Sequence, residues 1–284
     1  MAVLEIINTG TGLSVQDGGR PGWRRYGVPP GGAMDRYAAR WANRLLGNRD
    51  TAPTLEVLLQ GAKLRVLESI WIAVAGGDLG ASIAPWSARL VAAGEVLHFK
   101  KNSGGLWAYV AVPGGFAVDC WMGSASVDAR NGLGALLRKG DQLSAVMQLP
   151  RLSTEQVGGR SLIPEAQRDY RKPPVFTLLR GPEFERFPPA AADSLVEAKW
   201  KVTSQLDRTG YRLEGPALPV PESIKSGPVL PGSFQIPGNG QPIVTMPDGP
   251  TVGGYPKLAV LKESELNWIA QCRPGMEVAF RWAD

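Results

Sequence analysis

The sequence predicts a mainly β protein in two β-rich halves with a few short helices. Three observations carry that expectation. Glycine (35) and proline (24) are spread through the 284 residues, so most intervals between chain-breakers hold a strand more readily than a helix. Those intervals are rich in aliphatic, β-branched and aromatic residues, which suit a pleated, half-buried surface. A firm three- and four-residue apolar spacing is clear in one stretch, Arg36 to Leu46.

In chain order, Met1 to Asn8 reads as a strand. Two glycine- and proline-braced runs follow, Gly12 to Gly22 and Gly27 to Asp35, which read as polar loops leading into the first helix. Asp35 is placed to cap that helix and Gly47 to stop it. Met34, Ala38, Trp41, Ala42 and Leu45 share one face and predict core, while Arg36, Arg40 and Arg44 share the other and predict solvent. Strands are expected at Leu55 to Leu59, Lys63 to Leu67, Ile70 to Ala75 and Leu106 to Val112. A second set is expected at Val175 to Leu179, Lys199 to Val202, Ile243 to Met246, Lys257 to Leu261 and Met276 to Trp282. Such spacings suit barrels or sandwiches. Shorter helices fit Ala190 to Glu197 and Ser264 to Gln271. The polar stretch 151–174, with Gly158-Gly159 and Pro173-Pro174, reads as a linker or surface excursion between a first half at 1–150 and a second at 175–284.

Composition removes several classes of function. Thirty-one basic residues against 26 acidic ones leave a dispersed net charge of +5, which gives no nucleic-acid surface. No window approaches the ~20 apolar residues of a membrane span, and the N-terminus lacks a basic leader. Cys120 and Cys272 have no C-x-x-C spacing, so a reduced, cytoplasmic setting is expected. The single histidine, His98, lies in the strand-like Glu95 to Phe99 and makes a multi-histidine metal site impossible; no metal site is expected.

The chemistry-bearing residues cluster where glycine and proline are densest. Asp17, Gly18, Gly19 and Arg20 form the first group; Gly31, Gly32 and Asp35 form the second, where open amides before a helix suit an anion unless Asp35 takes them as a cap. Asp207, Arg208 and Arg212 form a third group, suited to an oxyanion or to a surface ion pair. Gln235, Asp248, Thr251, Gly253, Gly254 and Tyr255 form a fourth, which either lines a ligand pocket or makes hairpin turns. Phosphate-loop, dinucleotide-fingerprint and nucleophile-elbow motifs are missing from the sequence.

Six of these runs, Ser14 to Gly22, Gly27 to Asp35, Asp207 to Pro216, Pro231 to Pro237, Gly240 to Ile243 and Thr251 to Pro256, resemble in order the motifs of one family. It is variously called allophanate hydrolase subunit 2, biotin-dependent carboxyltransferase-like protein or the 5-oxoprolinase C subunit. The resemblance implies a cyclophilin-like β-barrel fold, a partner of the subunit 1 type (the B component), and a LamB/YcsF-type partner (the A component). It implies ATP-dependent opening of the lactam of 5-oxoproline to glutamate, with ATP bound by or shared with a partner. Arg20, Arg208 and Arg212 are then candidates to stabilise developing charge, and Asp17, Asp207 and Asp248 to orient groups or move protons. The chain departs from the family pattern at Thr209 and at Gly249-Pro250, which puts the identity of the amide or lactam in question. Two further readings stand beside this one. One is a carboxyltransferase for urea or a related amide, with biotin carried on another polypeptide because no A-M-K-M motif occurs here. The other is a non-enzymatic regulator of a kinase-inhibitor-like subunit 1 partner.

Overall fold

The computed structural model describes residues 1–147, 159–222 and 224–283. Part of the stretch expected as a linker, 151–158, lies outside the described residues. The protein is mainly β, with a nearly closed, barrel-like sheet. Its chain forms two compact units, one of residues 1–20 and 31–171, the other of residues 21–30 and 172–284.

The first unit holds β1 (Ala2–Thr9), β2 (Gly12–Gln16), β3 (Thr54–Leu58), β4 (Ala62–Val66), β5 (Ile70–Asp78), β6 (Ser87–Val91), β7 (Val96–His98), β8 (Gly104–Ala111), β9 (Phe116–Ala117), β10 (Gln142–Ala145) and β11 (Arg160–Ser161). They pair as a sheet β7-β4-β1-β10-β9 and a second sheet β11-β6-β5-β8-β3-β2. β4 shows the simplest logic: Ala62, Leu64 and Val66 are buried, while Lys63 and Arg65 alternate outward. Arg65 then reaches across to Glu5 on β1 at 2.8 Å. β5 and β8 are buried on nearly every residue because helix α1 (Arg36–Leu45) packs on both of them. Asp35 caps α1 by accepting the Ala38 N–H at 3.0 Å. Met34, Ala38, Ala42 and Leu45 are buried and Arg40 and Arg44 exposed, as the periodicity predicts, whereas Trp41, expected in the core, and Arg36, expected in solvent, are each half-buried. The start of the first glycine run differs from its sequence reading: Gly12 to Gln16 is not loop but β2, paired in register with β3. Gly12 sits against Leu58 there, and the alternation that marks a strand is hidden because Leu13, Ser14, Val15 and Gln16 are all buried.

The second unit holds β12 (Phe176–Arg180), β13 (Trp200–Leu206), β14 (Gly210–Glu214), β15 (Gly227–Pro228), β16 (Ser233–Gln235), β17 (Ile243–Thr245), β18 (Val252–Gly253), β19 (Lys257–Leu261), β20 (Glu277–Val278) and β21 (Phe280–Trp282), with α2 (Pro189–Glu197) and α3 (Glu263–Ile269). Eight strands form one sheet, β20-β13-β14-β17-β16-β19-β12-β21, and β15 pairs with β18 as a separate ribbon. Phe280 packs edge-on to Phe234, with ring centroids 5.0 Å apart, and beside Phe176 at 6.1 Å. Trp200 is fully buried and donates its indole N–H to the Leu195 carbonyl of α2 at 3.0 Å, so its one polar atom is satisfied.

Cys120 and Cys272 are free, the first exposed and the second buried. Burial pushes the Cys272 thiol up to about 12, against ~8.5 in an unfolded chain. The neutral thiol is therefore favoured by folding; its contribution is present below ~8.5 and is lost as pH rises from there towards the folded value. Alkylation of the native protein at mildly alkaline pH is expected to label Cys120 alone, with Cys272 labelled only after denaturation, as peptide mass analysis will show. No helix of the described chain is long and apolar enough to cross a membrane.

Candidate functional site

In the first unit, Asp17 sits at the end of β2 and gathers two segments far apart in sequence. One carboxylate oxygen accepts the Gly19 N–H at 2.7 Å, the Ser124 hydroxyl at 2.6 Å and the Ser126 hydroxyl at 2.8 Å; the other accepts the Ala125 N–H at 2.7 Å. Its carbonyl accepts the Ala33 N–H at 3.0 Å, which ties the second glycine run to the first. The two runs touch there. At Gly32, with φ +89°, a Cβ would stand 3.0 Å from the Gly19 nitrogen and 3.2 Å from the Asp17 carbonyl oxygen, so only glycine permits this approach. Gly18 is similarly close to Thr51, and the Gly31 carbonyl accepts from Arg36 at 3.2 Å.

Arg20 extends from this loop into the interior and is 1% exposed. Its Nη2 donates to the Ser126 carbonyl, the segment that Asp17 holds in place. Its Nε and Nη1 are buried and make no hydrogen bond. A guanidinium has five N–H donors in a planar fork matched to carboxylate and phosphate. Arg20 thus presents two buried guanidinium nitrogens without a protein acceptor.

Asp35 belongs to a different network. Besides capping α1, its carboxylate accepts the Tyr170 hydroxyl at 2.5 Å. The Asp35 N–H donates to the Tyr109 hydroxyl at 2.7 Å, and Tyr109 donates to Glu56 at 2.7 Å. Glu56 also accepts the Met34 N–H at 2.8 Å. Burial, reinforced by the negative charges of Glu56 and Asp35, pushes the Tyr109 phenol well up; burial and Asp35 do the same to Tyr170. Both phenols stay protonated donors. Asp35 therefore does the structural work that its capping position predicts, and the loop leading into α1 is anchored through it.

In the second unit, Arg208 and Asp248 form a two-pronged ion pair, Nε to Oδ2 at 2.6 Å and Nη2 to Oδ1 at 3.0 Å, with their side chains 18% and 5% exposed. The backbones join them again, Asp248 N–H to Arg208 carbonyl at 2.9 Å. The partner that adjacency suggested, Asp207, is engaged in its own turn: its Oδ1 accepts the Thr209 N–H and hydroxyl and the Gly210 N–H. Gly249 follows Asp248 where a Cβ would lie 2.4 Å from the Thr245 methyl and 2.7 Å from the Thr209 carbonyl oxygen. Gly249→Ala is expected to destabilise the protein by about 2 kcal/mol, the usual scale of forced overpacking, measurable by urea unfolding. Arg212 is exposed on β14. Gln235, on β16, donates to the Thr245 hydroxyl at 2.9 Å and packs against Gly253 of β18. The Thr251 carbonyl accepts the Val229 N–H, while Gly254 is half-buried and Tyr255 is 49% exposed.

The structure thus brings Asp17, Gly19, Arg20 and Gly32 together in one unit, and Arg208 with Asp248, and Gln235 with Gly253, in the other. Sequence reading missed Ser124 and Ser126, which no local motif marks, and the pair of Lys257 and Glu183, 3.2 Å apart. Among the described residues, no group of three or more His, Cys, Asp or Glu side chains is placed to hold a metal ion.

Residues 26–282 match the model of the carboxyltransferase domain, subdomain A and B, and the chain belongs to that family. It is 37% identical to the 5-oxoprolinase C subunit of Escherichia coli strain K12, across 98% of this chain and 90% of that protein. Its fold is similar to the crystal structure of TTHA0988, with a TM-score of 0.89 and 33% identity over 99% of this chain and 55% of that one. It is also similar to the K. lactis urea amidolyase, with a TM-score of 0.84 and 31% identity over 98% of this chain but 18% of that one. The chain spans about half of the first of these solved proteins and under a fifth of the second. The mainly β architecture and the family expected from the six motifs are both upheld.

Proposed function

We propose that the chain is the C component of an ATP-dependent 5-oxoprolinase, a hydrolase of a cyclic amide C–N bond that is active as a complex. Its expected companions are a subunit 1-type protein (the B component) and a LamB/YcsF-type protein (the A component). The observation that carries the reading is the buried Arg20 fork with two unbonded nitrogens, set in a chain that runs almost the full length of its bacterial 5-oxoprolinase relative. A lactam carbonyl resists water because resonance stabilises the amide. A phosphoryl group from ATP on its oxygen would remove that resonance and let water add at the carbon. The ring nitrogen then leaves with the C–N pair and a proton, and hydrolysis of the resulting acyl phosphate releases phosphate and the carboxylate. The residues of this chain supply the electrostatic half of that chemistry. Arg20 binds negative charge in a site shielded from water, where preorganised donors are worth most. Asp17 positions it by fixing Ser126, whose carbonyl holds Nη2. Orphaned donors fit an oxyanion, whereas the sequence offers no phosphate loop, so ATP is assigned to a partner protein or a shared site. The reading sets the complex in the cytoplasm, in keeping with the free cysteines.

Co-purification with the A- and B-type proteins of the same host, followed by an ATPase assay, tests this. ATP hydrolysis that depends on 5-oxoproline and yields glutamate is the expected result; its absence from an assembled three-protein complex would overturn the reading. The match to the K. lactis urea amidolyase favours a second reading, carboxyl transfer between a separately carried biotin and an amide. Its signature in the same preparation is carboxylation of urea on adding a biotinylated carrier protein.

A further inference from the structure

We infer that a cavity within the first unit is a binding site for a small α-amino acid, with Asp78 taking the ammonium and Arg168 the carboxylate. The inference goes beyond the lactam-opening reading and does not depend on it. The cavity measures about 340 Å³, at the lower end of the ~300–1,000 Å³ usual for small-molecule sites. Its lining comes from the end of β5, the start of β8, the Pro85-Trp86 turn and the segment 164–171, all within the first unit. Two backbone features shape it. The β5–β8 ladder slips between Gly76 and Asp78 and sets Asp78 opposite Gly104; such a bulge re-aims a side chain beside it. Gly76 lies at φ +103°, where a Cβ would stand 2.6 Å from the Trp107 carbonyl oxygen, so only glycine takes this path. Trp86 lies at φ +63°, a conformation that bulky residues seldom adopt and that gathers at ligand sites. The Leu162 N–H holds the Trp86 carbonyl there at 2.8 Å.

The charges of the lining define the ligand. Arg168 stacks on Tyr37 of α1, its Cζ 3.8 Å from the ring centroid, and Tyr37 is fixed by donating its hydroxyl to the Ala166 carbonyl at 2.6 Å. Stacking uses the face of a guanidinium, whereas its edge carries the N–H donors that match a carboxylate. The other charges gather against β8, where a Cβ at Gly104 would lie 3.0 Å from the Arg171 side chain. Arg171 donates to Asp169 twice, Nε to Oδ1 at 2.7 Å and Nη2 to Oδ2 at 3.0 Å. These hydrogen bonds raise the Arg171 guanidinium above its usual range, and the nearby charge of Asp78 adds to the effect. Asp78 itself accepts the Gly80 N–H on Oδ1 at 3.1 Å. Two carboxylates around one guanidinium leave one negative charge on this side, and Arg168, anchored on α1, offsets it. The lining is therefore neutral as a whole, with its two signs held by different elements. A molecule with one ammonium, one carboxylate and no net charge complements it; a simple anion or cation does not.

Saturation-transfer NMR and calorimetric titration of the full chain test this with three compounds. L-Glutamine is zwitterionic and neutral overall, glutaramic acid is its relative without the ammonium, and γ-aminobutyramide is its relative without the carboxylate. L-Glutamine is expected to bind in the millimolar range or tighter, and about tenfold or more tightly than either relative, the scale of one charge-assisted hydrogen bond. Asp78→Asn keeps the Oδ1 acceptor for Gly80 and is expected to weaken glutamine about tenfold while leaving glutaramic acid unchanged. Arg168→Met is expected to weaken glutamine by a similar factor while leaving γ-aminobutyramide unchanged. Thermal unfolding reports whether the variants fold, and the comparison of the three compounds on the wild-type chain stands without them. Failure of glutamine to bind, binding of glutaramic acid or γ-aminobutyramide as tightly as glutamine, or glutamine binding that neither folded variant weakens would each overturn the inference. All three outcomes leave turnover of 5-oxoproline untouched, so this site and the proposed activity stand or fall separately.

Discussion

Asp17→Ala is expected to destabilise the protein by about 3 kcal/mol and to lower Tm by roughly 10 °C, on the usual worth of hydrogen bonds to a charged acceptor and the usual entropy of unfolding. The carboxylate accepts four hydrogen bonds, from Gly19, Ser124, Ala125 and Ser126. Alanine leaves those donors without their acceptor and releases the segment whose carbonyl holds Arg20. Calorimetry and activity should fall together. This separates two roles that sequence leaves open. A residue moving a proton loses turnover when mutated but leaves unfolding unchanged; a residue organising two loops loses both, which is the outcome expected of Asp17 with its four donors.

Asp248→Ala is expected to cost about 3 kcal/mol as well, by a different route. Removing one partner of a buried ion pair costs ~3–5 kcal/mol; the 18% exposure of Arg208 keeps the value near the lower end. Chemical denaturation of a double-mutant cycle checks this. Asp248→Ala and Arg208→Met should each destabilise strongly, and the double variant should be far more stable than their sum, because it leaves no uncompensated charge. Additive losses would mean that the forked geometry contributes nothing.

Local chemistry was legible in the sequence wherever a single segment decides it. The α1 periodicity, its Asp35 cap and the alternation in β4 depend on residues within a turn or a strand of each other. So did the fold class and family, since chain-breakers and six ordered motifs need no three-dimensional knowledge. Pairings across long loops were hidden. Asp248 and Arg208 are 40 residues apart, and Glu183 and Lys257 are 74 apart. Adjacency favoured Asp207 for Arg208; yet the Asp-x-Thr-Gly pattern of 207–210 is itself a turn signal, since a carboxylate that caps its own following amides is already engaged. Lys257 opens a strand the sequence predicts, but nothing local marks that the eight-stranded sheet buries it. β2 was obscured for the opposite reason: a strand buried on both faces does not alternate.

Under the proposed function, the buried Arg20 fork receives the negative charge formed during amide opening. Turnover of 5-oxoproline by the reconstituted complex carrying Arg20→Lys tests it most directly, with Tm and complex assembly measured on the same sample. Lysine keeps the charge but loses the fork, so kcat is expected to fall about 100-fold or more, the usual loss for one oxyanion donor, with KM nearly unchanged. A folded, assembled Arg20→Lys complex that turns over at the wild-type rate would contradict the account.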